Sequence, residues 1–242
     1  MCGRFTLTRK DFRQLAAELD ASFDDAVEPL YRPRYNIAPT DEHWLVREKQ
    51  EQRQLLPARW GLVNTWAKDM KGAARQINAR AETAPVSRSF REAFEKRRCV
   101  VPADGFFEWI GAKEARRPVW FHAPDDALQL FAGLYESWRD PGSGAWTRTF
   151  TILTTDANGV VAPVHDRMPV VLPRDRVDAW LHVPVRNAQA HADDLRALLR
   201  PCAEEVLVAT EVSRRVNSVK NDDPACLEPA FDRESAESPR LL

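Results

Sequence analysis

The chain breaks into many short strand-like runs separated by turn residues, and no βα alternation repeats along it. Apolar, β-branched and aromatic residues cluster at 43–47, 55–60, 99–102, 106–110, 119–122, 128–134 and 146–154, with Val170 and Val171 starting another run. Helical spacing is confined to 11–19, 87–96, 174–181 and 188–199, and a further strand is expected at 205–210. Runs of this length cannot each bury a face alone, so they predict a mixed, largely antiparallel sheet that curls on itself, flanked by helices. Residues 31–40 hold Pro33 and Pro39 and read as an extended, rigid loop. Residues 111–117 and 140–144 read as exposed hairpin loops. No internal repeat or long linker divides the 242 residues, which favours one domain over 1–225, followed by a loosely ordered tail over 226–242.

Position 2 carries the chemistry that stands out. A small residue there allows removal of the initiator methionine, and the chain would then begin with Cys2. Its α-amine titrates near about 7.7–8.0 and its thiol near about 8.5, so both hold a nucleophilic fraction at neutral pH. Such a 1,2-aminothiol captures aldehydes: the amine forms an imine and the sulfur closes a five-membered ring. The other cysteines, Cys99, Cys202 and Cys226, are widely spaced with no C-x-x-C pair, so neither zinc nor a disulfide framework is expected. Cys99 reads as a core thiol. No nucleotide-binding glycine motif occurs, and no cofactor is expected. No apolar run reaches the length of a membrane span, and Arg9, Lys10 and Asp11 interrupt the start, so a cytoplasmic location is expected.

The net charge of −1 hides an asymmetry, because basic residues exceed acidic ones over 1–120 and the reverse holds over 121–242. Basic character therefore gathers where the unusual motifs lie, as a local phosphate-binding face would require. Asn78 and Arg80, two apart, project to one side of an extended stretch, the first able to orient a neighbour and the second to hold a phosphate. Glu108 sits in an aromatic run. Alternation puts Phe106 and Glu108 on one face and Phe107 and Trp109 on the other, and an inward Glu108 would have a raised pKa suited to proton transfer. His165 is a histidine between apolar and charged neighbours, the residue type that carries protons near pH 7. Residues 212–221 are polar and basic, fitting either a phosphate contact or a packed turn. Trp66, in a loop beside Lys68, is a candidate for stacking on an unpaired base.

Taken in order, Met1–Phe5, Arg34–Pro39, Arg59–Leu62, Ile77–Thr83, Ala103–Trp109, Val164–Pro169 and Val216–Asn221 resemble the motifs of the SRAP family, the SOS-response-associated or abasic-site processing proteins. The resemblance runs to about Asp222. It implies an α+β domain around a barrel-like antiparallel sheet. It implies binding of single-stranded DNA containing an abasic site, and a covalent thiazolidine crosslink through Cys2 after loss of Met1, with lyase and autoproteolytic activity alongside. By motif position Cys2, Asn78, Glu108 and His165 would form the site, and Arg4, Pro39, Arg80, Arg88 and Thr154 would contact DNA. The residues alone do not say which of Glu108 and His165 is acid and which is base. A monomer with no membrane partner is expected. Two rival readings use the same terminus: a glutamine amidotransferase with an N-terminal nucleophile, and a non-catalytic reader of modified bases.

Overall fold

A computed structural model describes residues 2–112, 115–182 and 195–230. In chain order the strands are β1 (Phe5–Leu7), β2 (Arg34–Ile37), β3 (Glu42–Lys49), β4 (Gln52–Trp60), β5 (Asn78–Arg80), β6 (Arg98–Ala103), β7 (Gly105–Ile110), β8 (Arg117–His122), β9 (Gln129–Arg139), β10 (Trp146–Asp156), β11 (Arg167–Pro169) and β12 (Val208–Glu211). The helices are α1 (Phe12–Glu18), α2 (Arg91–Lys96) and α3 (Val177–His182).

Five strands close a barrel. β3 pairs antiparallel with β4 and β6, β6 with β9, and β9 with β10. A parallel pairing of β10 with β4 seals the ring. Directly paired residues share a face. Arg47 pairs with Cys99, Cys99 with Gly133, and Gly133 with Ile152. His43, Leu45 and Arg47 therefore lie on the same inward face as Tyr135, Phe150 and Ile152. The other sheet runs β12-β8-β7-β1-β2, antiparallel throughout. It plugs one end of the barrel. Phe5 of β1 sits edge-on to His43, Trp60 and Phe131, with ring centroids 4.6, 4.9 and 6.3 Å away. Burial in this plug pushes the His43 pKa down to about 3, so its ring is neutral, with Nε2 2.9 Å from the Pro102 carbonyl. The architecture is the expected α+β, barrel-like and mostly antiparallel one.

The departures from the sequence reading lie in the shortest elements. β1, β2 and β5 are three or four residues each, too short to show a periodicity. Residues 31–40 are not all loop. Pro33 and Pro39 bracket β2 instead of interrupting it, so its backbone donors remain free to pair with β1. The helix expected over 87–96 contracts to α2, because the preceding residues are tied into turns, as in Ala84 N–H to the Arg80 carbonyl at 2.9 Å. At 205–210 the chain makes a 3-10 turn over Glu204–Val206 before β12 begins. The helix expected over 188–199 falls mostly outside the described residues, as does the tail from 231 onward. Cys226 is fully buried and the Ala230 N–H donates to the Glu211 carbonyl at 2.9 Å, so the packed chain extends to 230.

The polar run at 212–221 is a packed turn. Asn36 Nδ2 donates to the carbonyls of Val216, Ser218 and Asn221 at 3.2, 3.0 and 2.7 Å. Asp222 accepts from the backbone N–H groups of Tyr35 and Asn36 at 2.6 and 3.0 Å and pairs with the Arg34 guanidinium. Two side chains thus staple the C-terminal segment to β2. Asp222→Ala is expected to lower stability by about 1–3 kcal/mol, since it strands two backbone donors and a guanidinium. Arg215→Ala, which breaks only the exposed pair with Asp223, leaves urea midpoints near wild type.

Candidate functional site

Cys2 is held where termini usually fray. β1 is an inner strand of its sheet, between β7 and β2. Phe5 pairs with Phe106. Continued past Phe5, that antiparallel register sets Glu108 across from Gly3, next to Cys2. The Arg4 carbonyl accepts from the Phe107 N–H at 2.9 Å and from the Cys2 thiol at 3.7 Å. Cys2 is fully buried.

Asn78 reaches the same place from the barrel. Parallel pairing of β5 with β10 sets it beside Ile152. Its Nδ2 donates to the Cys2 carbonyl at 2.6 Å, which fixes the orientation of the amide. Its Oδ1 is buried without a hydrogen-bond partner. An amide that grips the backbone of Cys2 with its donor and keeps a spare acceptor is suited to orient the α-amine of the same residue.

Glu108 is buried on β7. Phe106 lies in the main core, whereas Phe107 packs with Trp109, Val212 and Val216 in a separate cluster, so the expected alternation holds. Burial raises the Glu108 pKa, and the nearby His165 in its charged form draws it partly back. Burial also drives the Cys2 thiol pKa far up, with the Glu108 carboxylate adding to the rise. Burial thus works against a thiolate at Cys2.

His165 is set by its neighbour. Nδ1 lies 2.9 Å from the Arg167 N–H and also 2.9 Å from Asp166 Oδ1. A lone pair on Nδ1 suits the backbone donor and opposes the carboxylate. The donor is fixed, while the Asp166 side chain is 83% exposed and solvated, so the backbone contact governs. The neutral ring then carries its proton on Nε2. Arg167 itself is tethered. Its guanidinium meets Glu82 at 2.7 and 2.9 Å, Asp156 at 2.6 Å and the Thr154 carbonyl at 2.6 Å. Paired with Arg167, the Glu82 carboxyl falls below its ordinary value. This clamp, joining the segments that carry Asn78 and His165, had no signal in the sequence beyond two charged residues 85 apart.

Cys2, Asn78, Glu108 and His165 are thus brought together. The five residues expected to contact DNA are placed less uniformly. Arg80 is exposed at the end of β5, and Arg88 is exposed with its guanidinium carbon 5.4 Å from the ring of Trp66, itself 59% exposed. Pro39 is half-buried ahead of Thr40, whose φ is +75°. Arg4 is turned inward. Its Nη1 donates to Asn36 Oδ1 at 2.7 Å and to the Val216 carbonyl at 3.0 Å, and its guanidinium lies 5.6 Å from the Trp109 ring. Thr154 is fully buried on β10 and its Oγ1 has no hydrogen-bond partner. Its carbonyl instead receives Ala81 and Arg167. Among the described residues no three His, Cys, Asp or Glu side chains gather as metal ligands would. A cavity of about 850 Å³ between Ala127–Gln129, Val171–Arg174 and residues 195–206 lies apart from these groups.

Three comparisons bear on this arrangement. The family model described as SOS response associated peptidase (SRAP) matches residues 1–219. The abasic site processing protein YoqW of Bacillus subtilis (strain 168) is 36% identical over 239 residues, covering 94% of this chain and 99% of the relative. The abasic site processing protein HMCES of Gallus gallus is 32% identical over 236 residues, covering 84% of this chain and 68% of the relative. A crystal structure of a Bacteroides thetaiotaomicron protein superposes with a TM-score of 0.83 at 25% identity, covering 95% of this chain and 100% of that one.

The raised Glu108 pKa has a consequence for stability. The native state holds this proton more tightly than the unfolded chain, whose value is near 4.5. Glu108 therefore costs stability as pH rises from 4.5 through its folded value. Glu108→Gln is expected to raise the urea midpoint at pH 7, and the gain should shrink toward zero as pH falls below 4.5. A variant no more stable at pH 7 than at pH 4, relative to wild type, contradicts the burial argument.

Proposed function

This chain belongs to the SOS response-associated peptidase (SRAP) family, and on that premise we propose that it processes abasic sites in single-stranded DNA by covalent capture through Cys2. The observation that carries the reading is the amide of Asn78, 2.6 Å from the Cys2 carbonyl with its oxygen buried and unpartnered, next to a buried carboxyl and a histidine. Removal of Met1 exposes the amine that Asn78 is placed to hold.

The abasic sugar opens to its aldehyde as the bond from the anomeric carbon to the ring oxygen breaks, with Glu108 or His165 moving the anomeric hydroxyl proton to that oxygen. The neutral amine of Cys2 adds to the aldehyde carbon, and water departs as the imine forms. The buried thiol then adds across the carbon–nitrogen double bond: sulfur bonds to carbon, its proton ends on nitrogen, and a thiazolidine results. Because burial keeps the sulfur protonated at rest, the amine acts first and the thiol follows, with the Glu108 carboxylate as the nearby proton acceptor. Fixing amine and aldehyde together supplies effective molarities of about 10⁵–10⁸ M. An imine not trapped by sulfur is open to β-elimination, which would give lyase activity, and a buried Glu108 beside the terminus suits it to assist removal of Met1. Arg80 and Arg88 are exposed for phosphates, and the Trp66 ring beside Arg88 offers a stacking face, so binding should tolerate sequence and weaken with salt.

Mixing the protein with single-stranded DNA bearing one abasic site should give an adduct that survives denaturing electrophoresis, with Met1 absent by intact mass. Cys2→Ala should abolish that adduct, and its persistence would place the bond elsewhere. Asn78→Ala is expected to slow adduct formation about a hundred-fold through loss of positioning, with DNA affinity kept. Equal rates for the two proteins would remove Asn78 from the mechanism.

A further inference from the structure

Phe5 plugs one end of the barrel, and the inward-facing rows of β3, β9 and β10 end differently at the other. There they run out in arginines. Arg47, four residues beyond His43 on the same face, lies with its guanidinium carbon 5.7 Å from the Tyr135 ring and donates to Gln54 Oε1 at 3.3 and 3.1 Å. Arg148 lies two residues before Phe150 on the inner face of β10, pairs in register with Ser137, and reaches across to the Pro57 carbonyl at 3.3 Å. Its Nε is buried without a partner. Two pairs further out, on the same face, Trp146 faces Arg139 across the hairpin, with the ring 68% exposed and 5.9 Å from the Arg139 guanidinium.

Among the described residues none of these three arginines has a carboxylate within 4.0 Å, whereas Arg34, Arg97 and Arg167 each pair with two. Partly buried guanidiniums of like charge that converge on one mouth repel each other. Burial lowers the Arg148 value and Arg47 lowers it further. Only an anion relieves both effects, and one with several oxygens suits two planar forks at once. The mouth lies about 13 Å along β10 from Ile152, the residue paired with Asn78, and so is separate from Cys2.

We propose that this barrel mouth binds a phosphate group, held by Arg47 and Arg148, with Trp146 and Arg139 offering a stacking face beside it. The phosphate has two possible sources, a small free phosphate compound or the backbone of a nucleic acid. The inference is independent of the chemistry at Cys2.

Two probes separate the sources: sodium pyrophosphate by calorimetry, and an unmodified oligothymidine titrated over a range of salt. The Arg47→Gln/Arg148→Gln double variant is expected to weaken pyrophosphate binding about ten- to a hundred-fold. For a nucleic-acid source it also lowers the salt slope for oligothymidine by about 0.7 for each backbone phosphate it no longer neutralises. Loss of pyrophosphate binding with an unchanged slope assigns the site to small phosphates. Arg148→Lys, which keeps the charge, should restore part of the affinity. Should the double variant fail to fold, Arg47→Gln alone, at a half-buried position, carries the same test. Wild type that binds neither probe, or variants that bind both as wild type does, overturns the proposal. Adduct formation with abasic DNA at saturating concentration should be unchanged in these variants, whereas Cys2→Ala should lose the adduct and keep pyrophosphate, so the two readings fail separately.

Discussion

The site depends on the guanidinium of Arg167. It is nearly buried, and such a charge is tolerated only when its donors are taken up. Glu82, Asp156 and the Thr154 carbonyl do this, drawing two separate stretches of chain onto one side chain. Glu82 follows β5, so the pair fixes the strand that presents Asn78 and Arg80. The backbone of Arg167 donates to His165, so the same residue selects a tautomer. A weak ion pair in water would not position anything, but this one is bidentate and its guanidinium is buried. Removing Glu82 would leave the buried guanidinium short of a partner, a cost larger than the net stabilisation of the intact pair.

The second constraint is the plug. An N-terminal residue makes a poor reactive group if it frays, because the freedom lost on binding would cancel the benefit of proximity. Phe5 anchors β1 in an aromatic cluster three residues after Cys2, and pairing with β7 and β2 fixes the backbone on both sides. β2 is itself held by Asn36 and Asp222 to a segment nearly two hundred residues later. Order at the first residues therefore rests on contacts with the last packed ones.

The sequence disclosed the fold where strands were long or strongly apolar. β3, β4, β9 and β10 are recognisable from residue type alone, and the alternation through 106–109 correctly turned Glu108 inward. It was silent on β1, β2 and β5, whose pairing partners lie elsewhere in the chain, and on the clamp between Glu82 and Arg167, since pairing of distant charges leaves no local pattern. The burial of Thr154 was equally invisible, because it comes from pairing near the end of β10 with β5 on one side and β11 on the other. The partners of Arg4, Asn36 and the Val216 carbonyl, lie 32 and 212 residues away and likewise left no local pattern.

In the proposed capture reaction, burial shapes the order of chemical events as much as geometry does. A free aminothiol in water offers two nucleophiles of similar readiness. Inside the protein the same low-dielectric surroundings raise the pKa of the thiol and of the Glu108 carboxyl together, and the carboxylate charge makes the thiolate costlier still. The sulfur is thus withheld while Glu108 is ionised. A step that needs the thiol proton removed gains from a carboxylate whose own affinity for that proton has risen, because such a carboxylate is a stronger base than an exposed glutamate. Destabilising Glu108 in the folded state and enabling it to take that proton are one physical effect, read once as stability and once as reactivity.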